Sequence, residues 1–152
     1  MGRAMAFLAL IVLVMLAADI VGSIPVTSVN LYSINVNQID LMGAAPGNSY
    51  KAVINVNVTK LEGFVCGLDI NDFKLDTLKA PYHGQKIAIY SVRASAAARG
   101  QPHAPCIYSM NIAPADNQGG QFTWGNGTYT LQLDYIKDGE QLANTKFNFT
   151  VT

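Results

Sequence analysis

Two runs of alternating apolar and polar residues flank Asp138-Gly139. Tyr129, Leu131, Leu133 and Tyr135 alternate before it, and Ala143, Thr145, Phe147, Phe149 and Val151 after it. Side chains along a strand point to opposite faces in turn, so each run predicts a strand with one buried face. Gly139 supplies the positive φ of a tight turn, which makes the pair a β-hairpin. A third such run is Tyr50, Ala52, Ile54, Val56 and Val58, alternating with Lys51, Val53, Asn55, Asn57 and Thr59.

Further strands are expected at 29–41, 63–70, 86–92, 106–112 and 121–124, joined by segments rich in Gly, Pro, Asn and Ala. No segment after residue 30 carries a convincing 3.6-residue period, and 71–79 reads as one helical turn at most. Seven or eight short strands at this spacing predict a mainly β fold, an antiparallel immunoglobulin-like β-sandwich over residues 27–152. The antibody-type signature is absent, because Trp124 follows both cysteines instead of lying between them.

Ahead of the sandwich, residues 1–26 form a hydrophobic N-terminal α-helix by this reading. Every residue from Ala4 to Ala18 is apolar, with Arg3 before the run and Asp19 after it. Three readings stay open. A secretory signal peptide would have a basic start, this run as its apolar middle and Val21-Gly22-Ser23 as its cleavage site. A single membrane anchor needs about 20 apolar residues and so must recruit 20–26 past Asp19. In the third reading the helix is retained.

An apolar helix joined to a small β domain, with Arg3-Ala4-Met5 near the start, resembles an archaeal type IV pilin. The resemblance is architectural and spans residues 1 to about 28. The acidic residue that bacterial type IV pilins carry early in the mature helix has no counterpart here. The resemblance implies a homopolymer in which helices bundle in a filament core and β domains coat it, with the membrane serving only as an assembly intermediate. Phe7, Leu8, Leu10, Ile11, Leu13, Val14 and Met15 would then pack against neighbouring copies, and Gly22 to Pro25 would hinge into the sandwich.

All three readings put the β domain outside the cell or on its surface. Asn57-Val58-Thr59, Asn126-Gly127-Thr128 and Asn148-Phe149-Thr150 are N-glycosylation acceptor triplets. Asn57 and Asn148 fall on the polar side of their strands. Cys66 and Cys106 are the only two cysteines, and an exported domain would pair them in a disulfide.

The residues for catalysis are sparse: two histidines, His83 and His103, lie in separate Pro-containing loops, and no nucleophile or phosphate-loop motif is present. The chain reads as a non-enzyme without cofactor. Cys66, His83, His103 and Cys106 could make a zinc set only if the cysteines stayed reduced. Asp69, Asp72 and Asp76 could attract calcium, but their spacing is not that of an EF-hand loop and a solvated turn explains them. Ten basic and ten acidic residues cancel, with no cluster of Lys or Arg to meet phosphates, which excludes nucleic acid as a partner. The loop 94–105, made mostly of small residues, reads as a contact surface or a flexible tip, and the aromatic residues Tyr82, Tyr90, Tyr108, Phe122, Trp124, Tyr129 and Tyr135 could make a carbohydrate-binding or subunit-contact face, with a cell surface or glycan as a further partner, although packing accounts for most of the aromatics. Two functions follow: a subunit of an extracellular filament or, after signal-peptide removal, a soluble secreted immunoglobulin-like domain that binds a protein or glycan.

Overall fold

A computed structural model describes residues 31–61, 63–95, 105–115 and 122–152. The apolar run, its assembly residues Phe7, Leu8, Leu10, Ile11, Leu13, Val14 and Met15, the 22–25 hinge and His103 lie outside the described residues. So does most of the 94–105 loop.

The described chain is mainly β. Its strands are β1 Tyr32–Asp40, β2 Ala52–Lys60, β3 Gly63–Phe64, β4 Phe73–Lys79, β5 Ile87–Ala94, β6 Ile107–Pro114, β7 Gly127–Lys137 and β8 Glu140–Val151. They form two sheets, one ordered β1-β2-β6-β5 with β3 added on β2, the other β4-β7-β8. Every pairing is antiparallel.

Alternation builds the core. Ile54, Val56 and Val58 of β2, with Tyr108, Met110 and Ile112 of β6, turn inward from the first sheet. Leu131, Leu133 and Tyr135 of β7 and Phe147, Phe149 and Val151 of β8 meet them from the second. The β7–β8 connection is the expected hairpin, with Asp138 at φ 53° and Gly139 at φ 79°, so both turn residues take the left-handed conformation of a type I′ turn.

Three strand expectations change. Only Gly63–Phe64 of 63–70 pairs in a sheet, because Cys66 is bonded to Cys106, Gly67 takes φ 80°, and Asp69 caps a 3₁₀ turn at Ile70–Asp72. The residues after that turn are strand β4, whose inward Phe73 and Leu75 were masked by the turn-forming aspartates before them. Trp124 lies in a loop, and Tyr50 is exposed ahead of β2 instead of opening its buried face.

The four strands that end the two sheet orders share one device, while the two-residue β3 pairs only with β2 and has none. β1 carries a β-bulge at Asn37, β4 at Leu78, β5 at Tyr90 and β8 at Leu142. A bulge bends the strand and breaks the row of open N–H and C=O groups that would otherwise template another strand.

Candidate functional site

The loops at one end of the sandwich are tied together by two buried aromatic residues. Trp124 donates its indole N–H to the Tyr50 carbonyl at 2.7 Å and its backbone N–H to Asn48 O at 2.8 Å, and its own carbonyl accepts from Gly47 N at 2.9 Å. Asn48 Oδ1 accepts from Ala45 N and Tyr50 N, and Nδ2 donates to Gly43 O, which fixes the β1–β2 loop against the indole. Tyr129, at the start of β7, packs edge-on to Trp124 with ring centroids 5.2 Å apart. Its hydroxyl accepts from Gly125 N at 2.7 Å and donates to Gln85 Oε1 at 3.0 Å. Burial pushes the Tyr129 hydroxyl pKa upward.

Gln85 carries this network into the β4–β5 loop. Only 5% exposed, it donates Nε2 to Thr123 O at 2.8 Å, and its backbone N–H closes a turn onto Tyr82 O at 3.2 Å. Pro81 and Tyr82 pack against Gly125, where an added Cβ would come within 2.9 Å of both side chains. The loop is therefore seated on backbone that only glycine leaves open. It borders an open surface pocket of about 340 Å³ lined in part by Lys79, Tyr82, His83 and Lys86. A second cleft, of about 460 Å³, lies at the seam between β1 and β8, lined by Tyr32, Ser33 and residues 141–144.

At the other end a covalent and a polar clamp coincide. Cys66 and Cys106 form the expected disulfide, with Cα atoms 5.5 Å apart, Cys106 buried and Cys66 exposed. Tyr108, two residues along β6, donates its hydroxyl to Val65 O at 2.7 Å and accepts from Leu68 N at 3.3 Å. The 65–68 segment is thus held on both sides of the cysteine. A disulfide fits an oxidising compartment, and it removes both thiolates from the zinc set, leaving His83 as the remaining described member.

The aspartates are used locally. Asp69 Oδ1 accepts from Asn71 N, and Asp72 Oδ2 from Asp69 N, each at 2.7 Å, making a capping box for the 3₁₀ turn. Asp76 pairs with Lys74 at 2.7 Å. Among the described residues no group of three His, Cys, Asp or Glu side chains converges on a common point.

The acceptor asparagines differ in setting. Asn126 and Asn148 are exposed, whereas Asn57 is half-buried on the outer face of central strand β2, between Asn35 and Ile107. Its Oδ1 is buried without a hydrogen-bond partner. Around it lies a polar face on which Ser109 donates to Asn55 Oδ1, Asn55 to Gln38 and Asn111 to Ser91, with Arg93 opposite Ser109. Of the aromatic residues, Tyr108, Trp124, Tyr129 and Tyr135 are buried, while Tyr82, Tyr90 and Phe122 are exposed. Comparison with known protein families, with curated proteins and with solved structures finds no match for this chain.

Proposed function

We propose that the chain is the structural subunit of an extracellular filament, pilin-like in plan, with residues 1–26 bundled in the core and the sandwich facing outward. The observation that carries this reading is the pairing of an all-apolar Ala4-to-Ala18 run with a domain bulged on the four strands that end its two sheet orders. A domain so guarded is poorly suited to polymerise by strand addition, which leaves the apolar run as the assembling element. Burying the ten side chains of that run larger than Ala at roughly 1.5–3 kcal/mol each favours a bundle strongly, before association and ordering costs. The role is architectural, without catalysis or cofactor, and the partner is another copy of the chain.

The immunoglobulin-like part of this reading rests on strand order. The orders β1-β2-β6-β5 and β4-β7-β8 match the A-B-E-D and C-F-G sheets of constant-type immunoglobulin domains, with β3 as an addition. The bond from Gly125 N to the Tyr129 hydroxyl, at the start of the strand equivalent to F, resembles the tyrosine corner of that fold. The disulfide departs from it, joining the segment after β3 to the start of β6 instead of bridging the sheets.

The experiment is mass measurement of the mature N-terminus with electron microscopy of Leu10→Asp/Val14→Asp. A filament subunit keeps the apolar run, and the double variant abolishes filaments while the β domain stays folded. A mature chain that starts near Ile24 and migrates as a monomer supports instead the secreted domain that binds a protein or glycan. The loops joined by Gln85 and Trp124 are what favour that second reading.

A further inference from the structure

We infer that the β4–β5 loop is a binding site for an acidic saccharide, a sugar chain whose rings carry carboxylate or sulfate groups. The site is the open pocket of about 340 Å³ lined in part by Lys79, Tyr82, His83 and Lys86, a groove into which one face of a sugar ring can lie. Its charge is one-sided. Among the described residues no carboxylate lines it, and the ion pair among them, Lys74–Asp76, involves neither Lys79 nor Lys86. In a chain of zero net charge, two exposed lysines that line one pocket and have no carboxylate partner among the described residues mark a local preference for anions.

Tyr82 adds an apolar contact for a ring. It remains 40% exposed although it is braced from behind by Gly125, so the aromatic surface is held in place before a ligand arrives. The rest of the loop is equally fixed. Gln85 anchors it to Thr123 O and the Tyr129 hydroxyl, and Ile87 N donates to Thr77 Oγ1 at 2.8 Å. Preorganisation of this kind lowers the ordering cost of binding.

Other anions fit less well. A nucleic acid requires many phosphate contacts, and this loop offers few cations. An extended acidic peptide would bind most readily along a strand edge, yet β4 and β5, which flank the loop, are bulged at Leu78 and Tyr90. A pyranose offers an apolar C–H face to Tyr82 and equatorial acidic groups to the lysines, matching both features at once. The inference stands whether or not the apolar run bundles.

Calorimetry of the full chain at low salt tests it with three probes: a chondroitin sulfate hexasaccharide, neutral chitohexaose and hexaglutamate. The sulfated sugar is expected to bind saturably and the other two not. Lys79→Gln/Lys86→Gln and Tyr82→Ala should each weaken binding by roughly tenfold. Lys137→Gln/Lys146→Gln, which removes the same charge elsewhere, should change it by less than about twofold. Tyr82→Phe keeps the ring and should bind like the parent, which separates ring contact from a folding defect. No binding of the sulfated sugar, equal binding of chitohexaose or hexaglutamate, or equal losses in the two lysine pairs would overturn the assignment.

Discussion

The Tyr129 hydroxyl sits between Gly125 N, at 2.7 Å, and Gln85 Oε1, at 3.0 Å, and so joins the loop before β7 to the loop before β5. Removing the oxygen strands the buried Gly125 N–H and takes one donor away from the Gln85 amide oxygen. Tyr129→Phe should therefore cost about 1–3 kcal/mol despite preserving the ring. Urea unfolding monitored by Trp124 fluorescence measures it, and an unchanged midpoint would show that the bonds contribute nothing net.

The disulfide closes a loop across a sequence separation of 40, which corresponds to about 4 kcal/mol in the chain-entropy treatment. Cys66→Ser/Cys106→Ser should lose most of that. Because Tyr108 still holds Val65 and Leu68, the double variant should keep a native-like β circular dichroism spectrum and show the loss as a lower unfolding midpoint.

Met42 occupies the left-handed region at φ 50° in the turn before Gly43, is exposed, and makes its backbone bond to Asp40 Oδ1 at 2.9 Å. Asparagine tolerates that conformation better than an unbranched apolar residue. Met42→Asn should stabilise the domain by about 0.5–1 kcal/mol, seen as a higher melting temperature.

Tyr108, Tyr129 and Tyr135 all have pKa values raised, in each case chiefly by burial. Their unfolded values lie near 10, so above about pH 10 the unfolded chain releases protons that the folded one retains. Stability attributable to these hydroxyls is thus complete below that pH and lost as pH rises toward the folded values. Absorbance at 295 nm should show a late tyrosinate component that appears together with unfolding. A smooth titration finished before any loss of structure would contradict it.

Alternation made most of the strands readable, and the bulges explain where it misled. On β1 the inward residues are Ile34 and Val36, then Ile39, because Asn37 shifts the phase by one. On β5 Ile87 and Ile89 give way to Val92 across Tyr90. A phase slip within an apolar alternation is the mark a bulge leaves in a sequence, and on β4 the slip at Leu78 followed a strand already hidden behind Asp69, Asn71 and Asp72. The candidate site was less legible. His83 and Tyr82 stood out individually, but their joint pocket with Lys79 and Lys86 depends on Gln85 reaching Thr123, a contact 38 residues apart in sequence that no local pattern encodes.

The position of the disulfide also governs how the domain would bear a pull. Tension applied between β1 and β8 reaches Cys66 and crosses directly to Cys106, so the intervening chain, including β4 and β5, is outside the covalent load path. That shortens the length the chain can yield by roughly 130 Å at full extension across the sequence separation of 40. It also means that the loop bearing Tyr82 stays tethered at both ends even when the outer strands are drawn out.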